Sequence, residues 1–310
     1  MTSPLPLSLF TSAQQNLAGR IRRTPQMDIV LDAGQTVTAK LESLQISGSF
    51  KIRGALNTVL SLQSEELAKG LVTASGGNHG LGVATAGSMT GASTTIYLPR
   101  NTPASKIEKL QNIASEVIVD GDVWDDANNL ALEDARETGK TYVHPFADES
   151  VIAGQGTLSL EILHDNPDID ILIVAIGGGG LISGVASAAK LIKPDIKIIG
   201  VEAVGAPTLK NSLDAGKLVT LDKIRTKANT LAPRQSAQVN FDIISKNVDQ
   251  IVLVTDEEMQ ASANWLWRNC GLGLELSAAA AIAALRSGVF TPPVNEKVCA
   301  IICGSGSDGF

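Results

Sequence analysis

Apolar residues along this chain follow two recurring patterns. Short unbroken runs such as Leu71-Val72-Thr73-Ala74, Ile171-Leu172-Ile173-Val174-Ala175-Ile176 and Val298–Cys303 have the length of strands buried on both faces. Between them, apolar positions return every three or four residues, as on one face of a helix. Ala92–Leu98, Glu116–Val119, Tyr142–Phe146, Lys197–Glu202 and Ile251–Val254 read as further strands. Helices are predicted from Lys51 onward, over Asp125–Glu137, Val151–Asp165 and Ser277–Leu285, and after each of two glycine-rich turns. Thr102-Pro103 supplies a helix cap and first position, and Thr255-Asp256-Glu257-Glu258 forms a capping box. The sustained alternation predicts an α/β protein whose mostly parallel sheet is covered by helices on both faces.

Three strand or turn ends carry groups that look chemical. Ser47-Gly48-Ser49-Phe50-Lys51 places one amine at the start of an amphipathic helix whose face is Ile52, Ala55, Leu56, Val59 and Leu60. The positive end of a helix disfavours an ammonium, and burial lowers its pKa further, so Lys51 is suited to Schiff-base chemistry. Standing alone it would be an ordinary surface lysine. The Ile171–Ile176 strand runs into Gly177-Gly178-Gly179-Gly180 and then Leu181, where backbone N–H groups and a helix N-terminus can cradle a phosphate. The loop is neither a nucleotide P-loop nor a G-x-G-x-x-G dinucleotide turn, so a smaller phosphate is indicated. After Leu71–Ala74 comes Ser75-Gly76-Gly77-Asn78-His79-Gly80, whose amides and Ser75 hydroxyl suit a carboxylate. Taken alone, that turn is equally a helix cap.

Composition narrows the classes. In 310 residues, 44% are hydrophobic and 18% charged, enough for a sizeable core. A net charge of −7 with scattered basic residues argues against nucleic acid or an anionic membrane as partner. Cys270, Cys299 and Cys303 have no metal-site spacing, and their odd number fits a reducing, cytoplasmic compartment. His79, His144 and His164 are widely separated, and no apolar run reaches transmembrane length. Met1–Phe10 lacks a basic start and carries prolines, which makes it a poor secretory signal.

Together these motifs resemble the fold-type II pyridoxal-phosphate enzymes, in particular the threonine/serine dehydratase and serine racemase group. Gly154-Gln155-Gly156-Thr157 and Cys303-Gly304-Ser305-Gly306 add to the resemblance, in the same order along the chain. It implies a two-lobed, three-layer α/β/α fold of the tryptophan synthase β type. A small lobe of residues 66–141 would be inserted into a large one of 1–65 and 142–310. Pyridoxal 5'-phosphate would be held covalently by Lys51, beside Phe50, with its phosphate on Gly177, Gly178, Gly179, Gly180 and Leu181. Asn78 would bond the ring hydroxyl and Cys303 would face the ring nitrogen. Ser75, Gly76, Asn78, His79 and Gln155 would surround the substrate, with Lys51 as base and His79 not the base.

The reaction implied is an ammonia-lyase (dehydratase) reaction on a β-hydroxy-L-amino acid such as L-threonine or L-serine. The alternatives are 3-hydroxyaspartate as substrate, with Arg53, Arg100 or Arg234 as partner of its extra carboxylate, and a serine or aspartate racemase. Racemising relatives carry a serine where this chain has Gly76. The relatives' divalent-cation site falls on Glu202, Ala206 and Thr208, which leaves one carboxylate, so no metal is expected. Lys227–Pro233 and Leu274–Ser277 also depart from the family's usual segments. A homodimer is implied, and the short tail after Cys303 leaves no room for a regulatory domain, so control by isoleucine is not expected.

Overall fold

The computed structural model describes residues 5–309. The first residues of the Met1–Phe10 stretch and the outer bounds 1 and 310 of the proposed large lobe lie outside them. Two sheets organise the chain. The larger has strand order β1 (Gln26–Val30), β2 (Thr36–Leu41), β10 (Val298–Ile302), β7 (Ile171–Ala175), β8 (Lys197–Ala203), β9 (Gln250–Val254). The smaller runs β5 (Glu116–Val119), β4 (Thr94–Leu98), β3 (Leu71–Ala74), β6 (Thr141–Tyr142). All ladders are parallel except β1 with β2. The unbroken runs are the central strands: β7 and β10 are buried at every position.

Helices α1 (Leu7–Leu17), α2 (Lys51–Leu60), α7 (Glu149–Asp165), α8 (Gly180–Ile192), α9 (Thr208–Ala215), α10 (Gln238–Asn247), α11 (Asp256–Cys270) and α12 (Ala280–Arg286) flank the large sheet and its surroundings. Helices α3 (Ser64–Lys69), α4 (Asn78–Thr90), α5 (Ala104–Gln111) and α6 (Trp124–Thr138) belong to the stretch that holds the small sheet. The Gly154–Thr157 motif lies within α7 and serves close helix packing. A Cβ at Gly154 would strike the Arg53 carbonyl, and one at Gly156 the Phe10 ring. The capping box forms, with Glu258 N donating to Thr255 Oγ1 at 3.1 Å and Thr255 N to Glu258 Oε2 at 2.7 Å.

Three expectations need correction. The strand predicted over Tyr142–Phe146 is only Thr141–Tyr142, because residues 144–147 fold into a tight turn around the His144 ring. Pro103 caps α5 and Ala104 begins it, one residue later than predicted. The Ser277–Leu285 helix opens as a 3₁₀ turn over Leu276–Ala279. Helices α1, α3, α9 and α10 and strands β1 and β2 went unpredicted. β1 is mostly solvent-facing and β2 buries a charged residue, Lys40, so neither shows an apolar run.

A buried ion-pair cluster ties α2 to its surroundings. Arg53 donates to Glu42 Oε1 and Oε2 at 2.8 Å each and to Glu161 Oε1 at 2.7 Å, and Lys40 Nζ donates to Glu161 Oε2 at 2.6 Å. Two cations meet two carboxylates, so four charges are buried with no net charge left over. No described helix is long and apolar enough to cross a membrane.

Candidate active site

The site begins with a stitched turn. Gly48 adopts φ +81°, which glycine tolerates, and its carbonyl accepts from Ser305 N at 2.8 Å. Phe50 N donates to the Cys303 carbonyl at 3.1 Å. The end of β10 therefore fixes where α2 starts, and Lys51 is the first residue of that helix. Its Nζ donates to the Pro145 carbonyl at 2.7 Å and stands 5.3 Å from the Phe50 ring centroid. Burial lowers the amine to about 8, against the opposing pull of Glu275 and Cys303.

The glycine loop has no room for side chains. A Cβ at Gly177 would collide with the Thr230 carbonyl and one at Gly178 with the Phe146 ring. One at Gly180 would come within 2.6 Å of the Phe146 carbonyl. Gly179 adopts φ +95°, and α8 begins at Gly180 with Leu181 buried behind it. Backbone amides and a helix N-terminus meet at this loop, an arrangement able to neutralise a phosphate without a cationic side chain. The Lys227–Pro233 segment, which departs from the family pattern, backs this loop through Thr230, and Thr230 Oγ1 bonds the Ser277 hydroxyl.

On the small sheet, β3 ends at Ala74 and delivers Ser75–Gly77 to the start of α4. Gly77 N donates to Ser75 Oγ at 3.3 Å. His79 is buried, and its Nε2–H donates to the Val143 carbonyl at 2.8 Å. Burial and the nearby Lys51 charge push that imidazole down to about 3, so it stays neutral with one nitrogen committed. A Cβ at Gly76 would lie 3.1 Å from Thr102 Cγ2 and 3.4 Å from Leu98 Cδ2. Gln155 is fully buried in α7, its amide against Gly54 of α2, with neither amide atom hydrogen-bonded.

Asn78, the first residue of α4, places its amide nitrogen 2.9 Å from both Glu275 carboxylate oxygens. Glu275 lies in the Leu274–Ser277 segment marked in the sequence as departing from the family pattern, but it was not assigned to the site. It is buried, and that burial lifts its carboxyl to about 7. Its Oε1 stands 2.5 Å from the place a Cβ at Gly304 would occupy, next to Cys303. One carboxylate in the buried, otherwise uncharged Leu274–Ala281 stretch was the available signal. The Cys303 thiol, buried at the end of β10, is pushed well above its ordinary value and stays neutral, chiefly through burial.

Glu202 has a structural partner instead. Its carboxylate accepts from Leu209 N and Lys210 N, at 2.8 Å each, and so caps α9. Among the described residues no cluster of three or more His, Cys, Asp or Glu could hold a metal ion.

These groups fit pyridoxal phosphate: a buried amine of lowered basicity, a glycine cradle that any Cβ would fill, and a neutral thiol. The comparisons agree. Residues 18–304 match the family described as pyridoxal-phosphate dependent enzyme. The L-threonine ammonia-lyase of Thermotoga maritima is 38% identical over 98% of this chain and 76% of its own length. The catabolic L-threonine dehydratase of Escherichia coli K12 is 36% identical over 99% of this chain and 95% of its own. Maize serine racemase superimposes with a TM-score of 0.93 at 34% identity, covering 98% of this chain and 94% of that one. The processed threonine deaminase isoform 2 of Solanum lycopersicum gives 0.90 at 34%, covering 98% and 86%. With glycine loop, buried lysine and fold all in agreement, this chain belongs to the pyridoxal-phosphate-dependent enzymes of fold type II.

Proposed function

We propose that this protein is an ammonia-lyase that converts a small β-hydroxy-L-amino acid, L-threonine or L-serine, to a 2-oxo acid and ammonia. The observation that carries the reading is Lys51: a buried amine lowered to about 8, in a site whose neighbouring imidazole, His79, is held neutral on a carbonyl. Lys51 is thus the base available for the Cα proton.

When bound, pyridoxal phosphate supplies the electron sink that stabilises negative charge at the substrate Cα. Lys51 Nζ, freed from its resting covalent role, takes the Cα proton. The Ser75 hydroxyl and the amides of residues 76–78 hold the substrate carboxylate, which orients that Cα–H bond. Asn78 and the neutral Cys303 thiol orient and face the ring. Cys303 offers a neutral thiol in place of a carboxylate, and the neighbouring Glu275 carboxyl is taken up by Asn78, an arrangement that favours prompt loss of the β-substituent over a long-lived carbanion. The Cα proton and the β-hydroxyl are lost together as one water, and one water is consumed when hydrolysis releases the amino group as ammonia, so threonine gives 2-oxobutanoate and serine gives pyruvate.

Two of the three arginines support a substrate with a neutral side chain. Arg53 is committed to Glu42 and Glu161, Arg100 is exposed and paired with Asp120 and Asp122, and Arg234 Nε donates to the Leu221 carbonyl at 2.9 Å. Arg53 and Arg100 are thereby taken up, which leaves Arg234, engaged through Nε alone, as the one of the three with donors to spare for the second carboxylate of 3-hydroxyaspartate. Gly76, which brings no acid or base of its own, weighs against a racemase. Two lobes (66–141 within 1–65 and 142–310), a homodimer and a cytoplasmic setting complete the proposal. The last draws on three unpaired cysteines, and light scattering of the purified protein checks the dimer.

The test is a 2-oxo acid assay on L-threonine, L-serine, their D-forms and 3-hydroxyaspartate, with Lys51→Ala alongside. The expected outcome is 2-oxo acid from an L-hydroxy amino acid. Lys51→Ala is expected to lose both that activity, by a factor of roughly a thousand or more, and the visible band of lysine-bound cofactor. Enantiomer exchange without 2-oxo acid would overturn the reading, as would a preference for 3-hydroxyaspartate.

A further inference from the structure

Behind the glycine loop lies a polar side chain that the reaction does not use. Asn240, in the first turn of α10, is fully buried. Its Nδ2 donates to the Gly178 carbonyl at 2.9 Å and to the Phe146 carbonyl at 3.1 Å. Ser236 Oγ donates to the same Gly178 carbonyl at 2.9 Å. A trans peptide points its C=O and its following N–H in opposite directions. Two donors pulling the Gly178 carbonyl toward α10 therefore turn the Gly179 N–H the other way, into the cradle.

The second bond of Asn240 reaches the other half of the site. Phe146 belongs to the turn His144–Ala147, whose Phe146 and Ala147 amides donate to His144 Nδ1 at 3.1 and 2.9 Å. In that turn the Pro145 carbonyl holds Lys51 Nζ. One amide group thus joins the loop that takes the phosphate to the turn that holds the amine, the two ends between which the cofactor must span.

We propose that Asn240, assisted by Ser236, is a positioning residue for the cofactor: it orients the Gly178–Gly179 peptide toward the phosphate and locks that loop to the Lys51-holding turn. The inference rests on family membership and its cofactor, not on the lyase reading, so the two fail separately.

The test resolves the holoenzyme, retitrates it with pyridoxal phosphate and follows the visible band of lysine-bound cofactor. Melting temperature is recorded with and without cofactor. Asn240→Ala is expected to raise the cofactor dissociation constant by about tenfold or more, through lost hydrogen bonds to two buried carbonyls. kcat at saturating cofactor should change far less. Asn240→Ser, with one hydroxyl donor in place of two amide hydrogens, should fall between, and Ser236→Ala should have a smaller effect. Unchanged cofactor affinity in a folded Asn240→Ala protein would overturn the proposal. So would an equal drop in melting temperature with and without cofactor, since that marks a purely structural role.

Discussion

The two glycine-rich turns at this site are built in opposite ways. Gly177–Gly180 is enclosed: Thr230, Phe146 and α10 press on it from several sides, and its backbone carbonyl is held by two side chains. Ser75–Gly77 is more open: a Cβ at Gly76 would meet Thr102 at 3.1 Å, but no atom lies within 4 Å of the Cβ position at Gly77, and a single 3.3 Å bond runs within the turn. The enclosed turn sits on the large sheet, between fully buried β7 and α8. A resident phosphate needs donors fixed once and kept, because every adjustment on binding costs ordering entropy. A substrate arrives and leaves each turnover, and an open turn can close on it and release it.

Filling the enclosed turn is the largest test of this contrast. Gly178→Ala drives a methyl into the Phe146 ring, and overpacking of that kind costs about 1–3 kcal/mol. The expected outcome is a cofactor dissociation constant raised by roughly tenfold to a hundredfold, read from the visible band on titration, with the melting temperature lowered as well. If cofactor retention is unchanged, the loop is not the rigid cradle described here.

Removing the hydroxyl from the open turn should act on substrate alone. Ser75→Ala deletes the hydroxyl proposed to hold the substrate carboxylate, an interaction worth about 1.5–3 kcal/mol when the acceptor is charged. KM should rise by roughly tenfold or more, with a smaller change in kcat and no change in cofactor retention. A loss of cofactor instead would mean that the two turns share one task.

Glu275 is the joint between them, reaching from the large-sheet side to Asn78 at the head of α4. Its carboxyl is raised from 4.5 to about 7 by burial, so the folded protein keeps a proton that the unfolded chain gives up. Stability attached to this group is therefore present below pH 4.5 and lost as pH rises through about 7. Glu275→Gln removes the titration. Its melting temperature should gain on the parent protein between pH 5 and 8 by on the order of 2–4 °C. Glu202 is raised in the same direction, but it is common to both proteins and drops out of the difference. Parallel pH profiles would show that Glu275 carries its charge throughout.

Much of this arrangement was legible in the sequence because it rests on local rules. Unbroken runs marked β7 and β10, four consecutive glycines marked a loop from a buried strand into a helix, and Lys51 stood at a helix start, all readable over a few residues. What escaped depends on partners distant in the chain. Glu275 matters because it meets Asn78, 197 residues away, and Asn240 because it meets Phe146 and Gly178, 94 and 62 residues away. Phe146 itself was read as strand although Pro145 precedes it, because the turn is closed by the His144 ring accepting from the Phe146 and Ala147 amides. Gly154 and Gly156 entered only as part of the family resemblance, and the structure makes them contact points between helices.

The smallest expected effect closes the comparison. Gly77 has a negative φ of −116° and empty space where a Cβ would stand, so alanine is sterically allowed. Gly77→Ala should leave stability within about 0.5 kcal/mol and cofactor retention unchanged, in contrast to the same methyl at Gly178. Any effect should appear only with substrate present, as a raised KM, because the turn must then close into space that the methyl has taken. A Gly77→Ala protein that loses cofactor as Gly178→Ala does would erase the distinction between an enclosed and an open turn.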